Sequence, residues 1–175
     1  MNAGKVMAGG LVATAIVAGA AMYYLQVYHF YEDVSDRVDG IRLTPSGAEV
    51  AEPIEARDIR AIDADSSPIR FRACFATPRP LEELTTTYAA YPGAEPLNAP
   101  GWFDCFDAGE IGGVLDDDEV RAFLGRRDIE YGIDRVVAVF PDGRGFAWHQ
   151  INSCGEVVFD GDPAPEGCPP PPNSE

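Results

Sequence analysis

Four cysteines, Cys74, Cys105, Cys154 and Cys168, and one of only two histidines, His149, are the residues whose types could do chemistry in this chain. Zinc sites and dithiol redox centres need paired spacings such as Cys-x-x-Cys, and none of the four cysteines is so paired. An even number of cysteines downstream of a membrane segment points to two disulfides instead, since oxidising compartments preserve them. Three pairings are open. Cys74 with Cys105 and Cys154 with Cys168 join the nearest in chain, and the second would tie down the C-terminal tail with a loop-closure contribution of about 3 kcal/mol. His149 lies between Trp148 and Gln150 in a strand-like run. As a general base it would serve a serine or cysteine nucleophile, but the cysteines are assigned to disulfides and no Gly-x-Ser-x-Gly turn is present, so a structural role is expected. Asp116, Asp117, Asp118 and Glu119 offer the oxygen chemistry of a calcium site without the alternating spacing and mid-loop glycine of an EF-hand, and a charged helix N-terminus accounts for them. No phosphate loop or dinucleotide fingerprint is present, and methionine and histidine are too scarce for a copper carrier. The motifs therefore call for no catalytic residue, metal or cofactor.

The elements that would position these residues begin with the N-terminus. From Val6 to Tyr31 no residue is charged, and the run is bounded by Lys5, the only lysine, and by Glu32 and Asp33. Its apolar part, Val6 to Leu25, extends about 30 Å as a helix, the thickness of a hydrocarbon core. Lys5, the apolar run and Ala18-Gly19-Ala20 also satisfy a cleaved signal peptide. Cleavage there would leave a terminus rich in exposed aromatics, whereas in an uncleaved helix Tyr23, Tyr24, Tyr28 and Tyr31 fall at the outer interface where such rings are enriched. The expectation is an anchor. Gly10, Ala13, Thr14, Ala18 and Ala21 recur at three- and four-residue steps, which puts small side chains on one helix face and suits close packing against a second membrane helix.

Beyond the span, 12 arginines stand against 29 acidic residues, a formal charge of −17. Such a surface repels nucleic acid and anionic headgroups and attracts a basic protein, besides keeping a tethered domain soluble. The expected organisation is an anchor over 1–31, a juxtamembrane stalk over 32–53, a folded domain over 54–168 and a Pro-rich extended tail over 169–175. Within the domain, Ile54 to Ile62 and Ile69 to Phe75 read as strands. In the second of these, Arg70, Arg72 and Cys74 alternate away from the apolar face. A helix is expected to start at Pro80 and stop at Pro92-Gly93, with Leu81, Leu84, Tyr88 and Tyr91 as its stripe. Trp102 to Phe106 reads as a short strand. A second helix is expected to be capped by Asp116 and Glu119 and stopped by Gly125, with Val120, Phe123 and Leu124 on its apolar side. Val136 to Phe140 and Phe146 to Ile151 flank a turn-rich loop and form the clearest hairpin, its first arm covered on both faces. Glu156 to Phe159 would add a last strand. The fold class is α+β: one N-terminal transmembrane helix, then a small domain with a mainly antiparallel sheet and about two helices.

A glycine-rich span ending in Tyr-Tyr-Leu-Gln-Val-Tyr, followed by Phe71-Arg72-Ala73-Cys74-Phe75, Trp102-Phe103-Asp104-Cys105-Phe106 and Cys154-Gly155, resembles a family of uncharacterised single-span membrane proteins of alphaproteobacteria. The resemblance implies a bacterial inner-membrane anchor with its C-terminal domain in the periplasm, and it brings no activity to any residue. The functional expectation is a non-catalytic accessory or assembly protein. Its span would pack beside an integral-membrane partner, such as a subunit of a respiratory or envelope complex, while the acidic domain works at the extracytoplasmic face. The alternatives are a tethered enzyme or ligand-binding module, with Trp148, His149 and nearby acids lining a pocket, or a secreted protein with a cleaved signal.

Overall fold

Alternating apolar residues and tight turns build an antiparallel sheet, seen in a computed structural model that describes residues 2–115 and 120–172. The chain divides into two units, Met1–Glu32 and Asp33–Glu175. The first unit is dominated by α1, Ala3–Tyr24, which continues as a π-helical turn over Leu25–His29. None of its helical residues is buried, and Ala3–His29 is long and apolar enough to cross a membrane, a test that a secretion signal also passes.

The strands are β1 (Glu32–Asp33), β2 (Ile41–Leu43), β3 (Glu52–Ile54), β4 (Arg57–Asp63), β5 (Arg72–Ala76), β6 (Arg121–Glu130), β7 (Ile133–Val139) and β8 (Arg144–Ile151). The helices after the span are α2 (Leu81–Thr87), α3 (Ala108–Leu115) and α4 (Ser153–Phe159). The main sheet runs β1-β4-β5-β8-β7-β6, with β2 and β3 as a separate antiparallel pair. The pairs β4–β5, β5–β8, β7–β8 and β6–β7 are all antiparallel, so the fold is α+β with a mainly antiparallel sheet.

Both faces of the central strands are covered. On one face Ala61, Phe71, Ala73, Phe75, Val137, Val139 and Ala147 meet Leu84 and Tyr88 and the buried Ile41, Leu43 and Ile54 of the small β2–β3 pair. The segment expected as a stalk over 32–53 thus contributes β2 to this core. Its Ile41 and Leu43 alternate with Arg42, a two-residue period too short to stand out from its polar flanks.

The other face carries Arg72, Cys74, Phe146 and Trp148, brought together by the pairings Arg72↔Trp148 and Cys74↔Phe146. The connection between α2 and α3 lies over it. Phe106 packs edge-on against Phe146 and Trp148, and the carbonyls of Leu97 and Asn98 accept hydrogen bonds from the Arg72 guanidinium. Arg72 and Cys74 are therefore buried, contrary to the expected solvent-facing alternation. Trp102 to Phe106 is this covering segment and not a strand. Its Phe103 and Phe106 are buried against a sheet whose inner strands already have partners on both sides.

Three further expectations are corrected. The stretch read as the second helix is β6, where Phe123 and Leu124 are both buried because each face of the strand is covered. The expected cap at Asp116 and Glu119 lies outside the described residues. Helix α2 stops at Thr87, four residues before the expected end, because Tyr88 and Ala90 turn to bridge Pro45 and Phe123. Glu156 to Phe159 belongs to α4, which starts where the Asn152 side chain accepts hydrogen bonds from the Cys154 and Gly155 amides, both at 3.0 Å. Helix α4 makes a third helix after the span.

Helix α4 seats on the β6–β7 turn through two glycines. A Cβ on Gly132 would lie 2.5 Å from the Gly155 Cα, and Gly132 has φ +73°. Gly132→Ala is expected to destabilise the domain by about 2 kcal/mol through backbone strain and displacement of α4. Urea unfolding of the full chain measures this, and an unchanged midpoint would show that the contact yields freely.

Candidate functional site

On α1, Gly10, Ala13, Thr14, Ala18 and Ala21 are all exposed along the helix. A side chain added at Gly10 would meet nothing within 4 Å. The Thr14 hydroxyl donates to the Gly10 carbonyl at 2.9 Å, which leaves its methyl as the outward group and keeps the ridge low and apolar. At the end of the helix the π-turn brings Tyr28 against two other rings, stacked on Tyr24 at 5.8 Å and edge-on to Tyr23 at 6.4 Å. Tyr31 follows beyond that turn.

In the domain all four cysteines are paired, Cys74 with Cys105 and Cys154 with Cys168. The first ties β5 to the covering segment and the second ties α4 to the tail. Among the described residues no group of three or more His, Cys, Asp or Glu side chains converges as a metal cluster would.

His149 lies in a buried stack on the face of β2 and β3. Its ring stacks on Phe71 at 4.8 Å, and the Arg135 guanidinium sits 4.0 Å from the centre of that Phe71 ring. The His149 Nδ1 is 2.6 Å from the Pro68 carbonyl, so Nδ1 carries the proton and donates. Its Nε2 then accepts from Arg135 Nε at 3.0 Å and Nη2 at 2.9 Å. Burial, and next the Arg135 charge, pull the imidazole down to about 3. Burial also lowers Arg135 to about 10, and burial raises the Asp63 carboxyl. With both ring nitrogens committed and only 4% of the residue exposed, His149 holds Pro68 and Arg135 in place. Trp148 is fully buried on the opposite face, so the two residues expected to line one pocket do not share one.

A polar cleft of about 390 Å³ lies instead beside β7 and β8, with Tyr91, Arg127, Asp134, Gln150, Asn152 and Glu156 among its walls. Asp134, 2% exposed, is its centre. Its Oδ1 accepts from the Asp128 amide and from Asn152 Nδ2, each at 2.9 Å, while Oδ2 accepts from the Tyr91 hydroxyl at 3.3 Å. Burial and the Asp134 charge push the Tyr91 phenol above its ordinary value, which keeps it a neutral donor. Asn152 joins the cleft to α4, because its amide nitrogen bonds Asp134 while its oxygen caps the helix. The network links the 88–93 segment, the β6–β7 hairpin and the start of α4. A carboxylate with its donors already engaged is a brace, and the Tyr91 hydroxyl beside it is one of those donors. Sequence reasoning missed this trio. The one available signal was a lone carboxylate, Asp134, leading into the apolar run of β7.

The model of a family of unknown function, DUF6446, matches residues 41–169. The chain belongs to that family. No curated protein and no solved structure matches it. The DUF6446 match starts at the first residue of β2 and ends one residue after Cys168, so it takes in both disulfides, the His149 stack and the Asp134 cleft. The apolar helix precedes it. Together the helix and the disulfides describe a DUF6446 domain that is membrane-anchored or secreted and stands outside the cytoplasm.

Proposed function

We propose that this DUF6446 protein is a single-pass accessory or assembly factor of the bacterial inner membrane, with α1 packed against a helix of an integral-membrane partner and its domain on the periplasmic face. The observation that carries this reading is the low ridge of Gly10, Ala13, Thr14, Ala18 and Ala21, which no other part of the chain covers among the described residues. Small residues allow two helix backbones to approach closely enough for extensive dispersion contact in lipid. The tyrosine cluster at the outer end supports an uncleaved anchor, since stacked phenols suit the headgroup level. The braced domain supports a binding role, because its buried histidine and carboxylate are engaged within the fold. Acidity beyond the span supports a basic partner surface and disfavours nucleic acid.

Solubilisation in mild detergent followed by affinity purification is expected to recover a stoichiometric membrane partner. The pair Gly10→Ile and Thr14→Ile should lower that recovery by about tenfold, as loss of one close helix contact would. Gly19→Ile, which falls on the opposite side of α1, should leave it intact. Recovery of free monomer alone, or equal losses on both faces, would overturn the proposal.

A further inference from the structure

An apolar concavity of about 760 Å³ in the domain is separate from the Asp134 cleft. It lies between the β6–β7 turn, α4 and the Pro-rich tail. Tyr131, Val158, Phe159 and Pro171 form apolar walls, and among the described residues Glu130 and Asp162 are the charged groups lining it. Its shape is built by long-range ties. Tyr131 donates its hydroxyl to the Pro169 carbonyl at 3.0 Å, the Cys154–Cys168 disulfide returns the tail to α4, and His149 holds the carbonyl of Pro68 on the remaining wall. Phe159 is 54% exposed although it sits in a folded helix, so an apolar ring stands ready beside two carboxylates.

Among the described lining residues the charge is of one sign. From Gln150 to the C-terminus the sequence contains no lysine or arginine, while Glu156, Asp160, Asp162 and Glu166 all fall there. An anionic lipid headgroup or a phosphate would be repelled. A concavity that is open along one side suits an extended segment better than an enclosed small molecule.

We infer that this groove takes a basic peptide segment of the partner, with an apolar side chain set against Phe159 and Tyr131 and flanking arginine or lysine residues reaching Glu130 and Asp162. The owner of that segment rests on the function proposed above, whereas the groove's preference for cationic, apolar-centred peptide does not. Charge complementarity sets the preference, and the ties at Cys168 and Pro169 hold that wall in place before binding.

The probe is the peptide acetyl-Arg-Leu-Phe-Leu-Arg-amide, titrated by fluorescence anisotropy against the full chain in nanodiscs of zwitterionic lipid. Binding is expected to weaken as salt rises, to vanish when both arginines are replaced by glutamate, and to fall about tenfold in Glu130→Gln with Asp162→Asn. Phe159→Ala, at an exposed position, should give a similar loss while urea unfolding stays cooperative. Equal binding of the basic and acidic peptides, or affinity unchanged in both variants, would overturn the inference. The Gly10→Ile and Thr14→Ile chain should bind the peptide normally. A failed groove therefore shows as lost peptide binding with membrane-partner recovery intact, and a failed partner reading shows the reverse.

Discussion

Acidification from neutral pH to about pH 4 is expected to strip several kcal/mol from the stability of the domain, and His149→Gln to remove most of that dependence. In the folded chain the imidazole is held near 3, below its ordinary 6.5, because burial and the Arg135 charge oppose protonation. A group depressed on folding stabilises the native state fully above its unfolded value and loses that contribution as pH falls toward its folded value. The window therefore opens near pH 6.5 and runs down toward 3, and a shift of this size corresponds to roughly 3–5 kcal/mol. Two guanidinium charges oppose protonation of the ring within it. Arg135 on β7 stays charged, with its value near 10, and Arg72 on β5 adds to the opposition. Asp63 on β4 runs the other way: burial raises its carboxyl, so its protonation in acid favours the folded chain and blunts the lower end of the decline. Glutamine in place of His149 can accept from Arg135 and donate to the Pro68 carbonyl without a titrating proton. Urea midpoints of the full chain in mild detergent, taken from pH 7 to pH 4, are the measurement. Parallel pH profiles for the two proteins would show that protonation of His149 does not drive the loss.

The same stack marks the boundary of what the chain displays locally. The β7–β8 hairpin is legible because Val136 to Phe140 and Phe146 to Ile151 surround a loop of Pro141, Asp142 and Gly143, and every signal lies in the one stretch from Val136 to Ile151. The start of α2 at Leu81, just after Pro80, is local in the same way, and so is the apolar helix. Strand β6 is not. Val120, Phe123 and Leu124 fit a helical stripe equally well, and only pairing with β7, together with cover on both faces, selects the strand. Helix α4 opposes local preference too, since Val157, Val158 and Phe159 favour strands; the Asn152 cap and the approach of Gly155 to Gly132 decide it. The polar cleft is less legible still. Its central bonds join Asp134 to Tyr91 across 43 residues and to Asn152 across 18, so no spacing rule connects them. The groove walls lie at Pro68, at the β6–β7 turn, on α4 and in the tail, and the Cys154–Cys168 bridge is the one part of that arrangement visible as a sequence pattern.

Arg72→Met is expected to cost about 3–5 kcal/mol, a large loss for a side chain that the alternation of β5 places facing solvent. The residue is 3% exposed. Its guanidinium donates from Nε to the Leu97 carbonyl at 2.7 Å, from Nη1 to the carbonyls of Ile69 and Phe71 at 2.8 and 2.7 Å, and from Nη2 to Asn98 at 3.2 Å. The planar fork thus pins the covering segment across the sheet, beside Phe106 and ahead of Cys105. Methionine preserves the apolar stem but strands these carbonyls away from donors, and each buried acceptor left unpaired costs about 1–3 kcal/mol unless the segment lifts into water. Lifting exposes Trp148, which Phe106 now covers, so the emission of the variant should shift to longer wavelength. The Cys74–Cys105 bridge limits how far the segment moves, which predicts a folded domain with local opening and not global collapse. Arg72→Lys retains charge without the fork and should fall between the two, near 2 kcal/mol. Urea unfolding and limited proteolysis of the 92–104 segment report the two components separately. A midpoint for Arg72→Met close to that of the native chain, with unchanged cleavage, would mean that the disulfide and Phe106 hold the segment without the guanidinium.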